Sequence, residues 1–128
     1  MMTLWKSMAV LAFASSLVAC GGGADPTARG AVAYSPATKA GAIVVNYGSQ
    51  SEANSDALLQ CGYGTCSVVH EFSGNGTCGS IAVDYNNGAW GVSSASNKES
   101  ADTRAVRDCQ NRGGTACIIP PWVTNQCN

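Results

Sequence analysis

The chain has 128 residues, seven basic and eight acidic side chains, and a formal net charge of −1 at pH 7. This length fits a single domain. Nucleic-acid binding needs a basic face or stripe, and the near-neutral charge gives none, so we expect no nucleic-acid partner. The only group of arginines is Arg104, Arg107 and Arg112. Acidic residues lie among them, which predicts a solvated helix face.

Seven cysteines in so short a chain indicate export. Cytosolic thiols are kept reduced, whereas small exported domains use disulfides to supplement a small core. An odd number leaves one cysteine that is modified, reactive or paired elsewhere.

The first 19 residues are typical of a signal peptide. Lys6 precedes an uncharged run from Met8 to Ala19, which is too short to span a bilayer. The run ends in Leu17-Val18-Ala19-Cys20, which resembles the bacterial lipobox, in which the cysteine is acylated and the signal is cut before it. We therefore predict that Cys20 is the lipid-bearing first residue of the mature protein, which leaves six cysteines for disulfides.

The lipobox resemblance also implies a location. Gly21 stands where an aspartate would resemble an inner-membrane retention signal, so the analogy implies the periplasmic face of the outer membrane, with the acyl chains as a lasting membrane anchor. Residues 20–30 are glycine-rich and predict a flexible tether. Residues 31–128 then form the globular domain.

The domain contains one pattern twice, and each half predicts strand, strand, helix, strand. Corresponding cysteines of the two halves differ by 48, 51 and 49 positions. Self-similarity of this kind indicates one supersecondary unit used twice. The fold class that follows is α+β, a disulfide-stapled domain with two helices packed on mainly antiparallel sheet.

Local signals place the elements within each half. Asn86-Asn87-Gly88 predicts a hairpin turn, with Asp84 at its flank. Ser49 with Glu52, and Ser96 with Glu99, have the capping-box spacing that opens a helix. Residues 66–72 and 117–122 predict strands, and Pro120-Pro121 makes the second of these an edge strand or ends it early.

Several of these motifs occur together in one known family. They are Ala33-Tyr34-Ser35-Pro36, Asn46-Tyr47-Gly48-Ser49, Cys66-Ser67-Val68-Val69, Asn87-Gly88-Ala89-Trp90-Gly91 and the segment from Gly113 to Cys117. Over residues 31–127 the chain resembles the bacterial domain-of-unknown-function family 4189. The resemblance implies an exported bacterial domain of this fold and implies no catalytic residue.

The cysteines allow several chemistries. Six of them permit 15 pairings, and the repeat favours Cys61 with Cys66, Cys109 with Cys117, and Cys78 with Cys127. A zinc site would need tighter, matched cysteine pairs, and a redox site would favour Cys-x-x-Cys. We therefore expect no metal and no cofactor.

The search for a catalytic set yields no enzyme prediction. His70 is the only histidine, no Gly-x-Ser-x-Gly elbow is present, and Glu71 with Asp84 has no supporting spacing. Along its predicted strand His70 shares a face with Val68 and Phe72, while Val69 and Glu71 alternate away, which favours a packing residue.

The favoured function is therefore a lipid-anchored protein-binding module, with an envelope or incoming protein as partner. An inhibitor or immunity protein is one form of this function. Trp90 is the best interface candidate, with His70 as the second. A structural envelope lipoprotein is the alternative, and a hydrolase of envelope polymers is less favoured.

Overall fold

A computed structural model describes residues 27–128. The predicted signal peptide and the lipidated Cys20 lie outside these residues. In chain order the elements are β1 (Arg29–Tyr34), β2 (Gly41–Tyr47), α1 (Gln50–Cys61), β3 (Ser67–Ser73), β4 (Cys78–Val83), β5 (Trp90–Ala95) and α2 (Lys98–Asn111).

The strands form two antiparallel sheets. One sheet has the order β2-β1-β3, and the other is the hairpin β4-β5. α1 packs on the first sheet and α2 on the second. The predicted α+β class with two helices on antiparallel sheet is confirmed.

The two sheets pack face to face, and each helix covers an outer face. The core between the sheets contains the buried side chains of Val32, Tyr34, Phe72, Ile81 and Val83. Small residues form the contact between each helix and its sheet. They are Ala31 and Ala33 of β1 with Ala53 and Ala57 of α1, and Ala82 of β4 with Ala101 and Ala105 of α2. Side chains alternate across a strand, so β1 and β4 each supply residues to the inter-sheet core and to a helix-facing core.

Phe72 fixes how closely the sheets approach. A Cβ atom added to Gly30 of β1 or to Gly79 of β4 would lie less than 3.0 Å from the Phe72 ring. The aromatic ring therefore fills the space left by one glycine in each sheet.

The two halves fit the predicted repeat, except in the last strand. β1 is the central strand of the first half and pairs with β2 and β3. β4 pairs with β5 on one side, but on its other side only the isolated bridges Val83↔Ile118 and Cys78↔Cys127 remain. The predicted strand at residues 117–122 ends early, at the single bridge of Ile118, because Pro120 and Pro121 have no N–H to extend the ladder.

One of the two predicted helix starts is displaced. Ser49 caps α1, and its side chain accepts a hydrogen bond from the N–H of Glu52, as predicted. The predicted start at Ser96 is wrong by one residue, because Asn97 caps α2 and accepts from the N–H of Ser100 at 2.8 Å. Asparagine is as effective an N-cap as serine, so a sequence with both side by side leaves the choice open.

The predicted face is also wrong for Val68 and Val69 of β3, whereas His70 and Phe72 do share a face, with ring centroids 6.4 Å apart. The pairing of β3 with β1 shifts register between Val32 and Ala33, so an extra residue of β3 lies in a bulge. Val68 packs on the α1 side, whereas Val69 faces the inter-sheet core with Phe72. A bulge changes which residues share a face, and alternation alone does not reveal it.

The domain has two ends. We call them the tether end, after the tether predicted at residues 20–30, and the far end. The tether end comprises the start of β1, residues 73–78 and the C-terminal residues. There, Asn128 donates to the carbonyl of Ala28, and Gly74 donates to the same carbonyl. The far end comprises residues 34–41, 58–67, 83–90 and 109–118. β1 runs from one end to the other, so its terminal residues lie about 17 Å apart.

Each end carries disulfides. Cys61–Cys66 and Cys109–Cys117 lie at the far end, and Cys78–Cys127 lies at the tether end. These pairs have the arrangement that the repeat favours. Two local bridges therefore restrain the far end, and one long-range bridge joins the two halves at the tether end.

Candidate binding surface at the far end

At the far end, a buried polar residue follows one strand of each sheet. Ser35 follows β1 and Asp84 follows β4, and both are fully buried. Each donates its N–H to a carbonyl five residues ahead, that of Ala40 or Ala89. The two turns therefore have the same backbone pattern, although their sequences differ.

The side chains of these two residues hold the disulfide loops in place. Ser35 Oγ lies 2.6 Å from Thr65 Oγ1, next to Cys66. The Asp84 carboxylate accepts hydrogen bonds from the backbone N–H groups of Asn86 (2.9 Å), Asn87 (3.2 Å), Thr115 (2.9 Å) and Ala116 (2.9 Å). Asp84 therefore ties its own turn to the loop before Cys117.

The hydrogen bonds keep Asp84 ionised. The N–H groups of Ala116 and Thr115 have the largest effect on the pKa, burial opposes them, and Asn86 and Asn87 add to the lowering. Together they lower the Asp84 pKa from 3.8 to about 2. The carboxylate is a structural anion that fixes the far end at neutral pH.

We predict that Asp84→Asn destabilises the domain at neutral pH, because the amide cannot accept from all of these donors. Since the folded-state pKa is depressed, the ionised side chain contributes stability above about pH 4, and that contribution is lost as the pH falls through about 2. Urea unfolding from pH 7 to 2 should therefore show the wild-type and Asp84→Asn midpoints converging at low pH. Glu71→Gln, at an exposed carboxylate, is the control. A gap for Asp84→Asn that does not change with pH would contradict this role.

An open cleft lies beside the second turn. Its volume is about 470 Å³, and its lining residues are Asn87, Gly88, Ala89, Trp90, Arg112 and Gly113. The Arg112 guanidinium carbon lies 4.9 Å from the Trp90 ring centroid. Trp90 is half-buried, and its ring centroid lies 5.3 Å from that of Tyr34 in the inter-sheet core. The predicted interface residue Trp90 is thus the floor of a cleft and not a protruding anchor.

Five large apolar side chains are exposed in the described part of the chain, and all belong to the far end. They are Leu58, Leu59, Tyr63, Tyr85 and Ile118, with exposed fractions from 39% to 77%. Leu58, Leu59 and Tyr63 lie at the end of α1 and in the Cys61–Cys66 loop. Tyr85 lies in the second turn, and Ile118 follows Cys117. Exposed apolar residues gathered on one part of a surface are typical of interaction sites.

His70 lies away from this surface. It is half-buried on β3, and its Nε2 lies 3.0 Å from Ser94 Oγ of β5. Burial lowers the His70 pKa, and the charges of Asp108 and Glu71 oppose that change. The structure gives His70 a bridging contact between the two sheets and does not bring it to the cleft with Trp90.

The described residues offer no metal centre and no spanning helix. Among residues 27–128, no group of three or more histidine, cysteine or acidic side chains is placed to hold a metal ion. Within the same range no helix is long and apolar enough to cross a bilayer. All six cysteines of this range are joined in disulfides.

Comparison with known proteins gives one match. The family model described as a domain of unknown function, DUF4189, matches residues 30–127. The chain belongs to the DUF4189 family. No curated protein and no solved structure matches it.

Sequence reasoning missed most of this DUF4189 surface. Arg112 was grouped with Arg104 and Arg107 on a solvated helix face, but the end of α2 places it over Trp90. The exposed residues Leu59, Tyr63 and Ile118 were not singled out. The repeat was the available signal for this surface. It makes the Cys61–Cys66 and Cys109–Cys117 loops equivalent, and equivalent loops of the two halves lie at the same end of the domain.

Proposed function

We propose that this protein is a bacterial envelope lipoprotein, anchored through Cys20, that binds a protein partner with its far end. In the mature chain the lipid-bearing residue precedes the tether, and the tether enters the domain at the start of β1. The binding surface is then the part of the domain directed away from the membrane.

The observation that carries this proposal is the position of the exposed apolar side chains. All five belong to the end opposite the tether. Tyrosine, tryptophan and arginine residues at the centre of protein interfaces account for much of the binding energy. Water-exposed side chains such as Leu59 and Tyr63 gain from burial against a partner and are otherwise unfavourable at the surface.

The rigidity of the far end supports the same function. Two disulfides, Asp84 and Ser35 hold its loops, and Gly62 ends α1 with a left-handed backbone at φ 81°. A surface whose loops are already fixed loses less conformational entropy on binding. The far end is therefore built as a preorganised contact surface.

Site-specific photo-cross-linking in living bacteria tests the proposal. A photoreactive residue is placed at Tyr85 of the far end or at Ser73 of the tether end, both of which are exposed. We expect a discrete cross-linked protein from position 85 and none from position 73. The same product from both positions, or a product from position 73 alone, would contradict the proposed orientation.

The anchor is tested in the same cells by Cys20→Ala. This variant should lose lipid labelling and remain uncut, while an alanine at Ser16, inside the predicted signal, should be labelled and cut as wild type is. Lipid labelling of Cys20→Ala equal to that of wild type would contradict anchoring through Cys20.

A further inference from the structure

We propose that the Trp90–Arg112 cleft binds an acidic side chain of the partner protein. This inference rests on the proposed function and deepens it, because it names the chemical group that the far end recognises. The lining of the cleft carries the argument.

The Arg112 guanidinium is held in one orientation from two sides. The Trp90 ring lies beneath it at 4.9 Å, and Asp108 Oδ2 lies 3.2 Å from its Nη2. Trp90 in turn packs on the fully buried Tyr34. Asp108 Oδ2 also accepts the backbone N–H of Val92 at 3.0 Å. The guanidinium is therefore connected to the core and to β5, and its planar group of donors is preorganised for a carboxylate.

The donors of the turn and of the segment after α2 are already used. Asn87 Nδ2 donates to the Gly113 carbonyl at 2.9 Å, and the Ala89 N–H donates to Asn87 Oδ1 at 2.9 Å. The N–H groups of Gly88 and Gly113 donate to backbone carbonyls. Among the described lining residues, the remaining N–H groups of Arg112 and the indole N–H of Trp90 have no hydrogen-bond partner and are left for a ligand. Such a site favours a ligand whose oxygen atoms accept hydrogen bonds.

The charge around Arg112 favours a carboxylate over a phosphate group. Asp108 stands beside the guanidinium, so the local charge of this pair is close to zero. A phosphate group carries about −1.5 to −2 charges at pH 7 and would meet the Asp108 carboxylate with more repulsion than a singly charged carboxylate does. Arginine binds two oxygens of a carboxylate or of a phosphate equally well in geometry, so the charge of Asp108 decides between the two ligands.

The test uses the full lipidated chain in detergent micelles and follows the Arg112 Nε–H and Trp90 indole N–H signals by NMR. The probes are the capped peptides acetyl-Gly-Glu-Gly-amide and acetyl-Gly-Gln-Gly-amide, and inorganic phosphate. We expect saturable shifts with the glutamate peptide, and at least about tenfold weaker binding of the glutamine peptide and of phosphate.

Two arginine variants make the assignment specific. Arg112→Lys keeps the charge but loses the planar donors, and it should bind the glutamate peptide at least about tenfold more weakly. Arg107→Gln is the matched control, because Arg107 lies on the same helix outside the cleft and has no ion pair with a described residue. It should bind the glutamate peptide within about twofold of wild type, because a distant exposed charge is screened.

Several outcomes would overturn the inference. They are the absence of saturable shifts, equal binding of the glutamine peptide, tighter binding of phosphate, and equal weakening in Arg107→Gln and Arg112→Lys. If position 85 still cross-links a partner while the glutamate peptide fails, the binding proposal stands and only the acidic recognition is lost.

Discussion

Replacing Cys78 and Cys127 together with alanine is expected to lower the free energy of unfolding by about 4 kcal/mol. The two cysteines are 49 positions apart, so their bridge restrains far more of the unfolded chain than either short one. A domain of this size has roughly 5–15 kcal/mol of stability in total, so this loss is a large part of it.

The matched control is the double alanine variant of Cys61 and Cys66. Its bridge spans a separation of only 5 residues, and its loss should cost about 2 kcal/mol by the same chain-entropy argument. Urea unfolding of both variants and of wild type measures the difference. An equal loss in the two variants, or a larger one for Cys61 and Cys66, would show that the half-to-half bridge is not the main covalent restraint.

Gly91→Ala is expected to destabilise the domain by about 3 kcal/mol, because β5 and α2 leave no space for a side chain at this position. An added Cβ would lie less than 3.0 Å from backbone atoms of Ala105, Asp108 and Cys109. Backbone atoms of a helix cannot move aside as a flexible side chain can, so α2 itself must shift away from β5. Thermal or urea unfolding of the purified protein measures the loss.

Gly48→Ala is the control for this substitution. An added Cβ at Gly48 meets no atom within 4 Å. Its effect should be small, because it removes only the extra backbone freedom of glycine in the unfolded chain. A Gly91→Ala variant as stable as Gly48→Ala would contradict the close packing of α2 on β5.

The elements could be predicted where their signals are local. Ser49 with Glu52 located the start of α1, and the turn at Gly88 has the left-handed backbone, φ 81°, that its glycine suggested. The end of the last strand also followed from a local cause, since Pro120 and Pro121 lack the N–H that a ladder needs. The spacing of the cysteines carried enough of the repeat to suggest which of them pair.

The packing of the two sheets against each other and under the helices could not be predicted, because it depends on contacts between segments that are distant in the sequence. Nothing near Phe72 in the sequence indicates that its ring lies between Gly30 and Gly79 of different sheets. The bulge in β3 reverses the face of Val69 without any local sign in the sequence. Alternation within one strand predicts two faces but not what each face packs against.

The candidate surface was only partly predictable for the same reason. Trp90 was singled out by its place beside a glycine-rich turn. Arg112 has the same local setting as its neighbours on α2, and only the packing of α2 against β5 brings it over the Trp90 ring. Tyr85 and Ile118 belong to one surface because β4 and the segment after Cys117 bridge at Val83.

The central claim is that the end of the domain away from the tether binds a protein. Its most direct test is the affinity of the full chain for the protein cross-linked through position 85, titrated for wild type, Tyr85→Ala and Ser73→Ala. We expect Tyr85→Ala to weaken binding by about 2 kcal/mol, roughly thirtyfold, as a buried interface aromatic does. Ser73→Ala should bind as wild type does. Wild-type affinity in Tyr85→Ala together with weakened binding in Ser73→Ala would place the interface at the tether end and contradict the account.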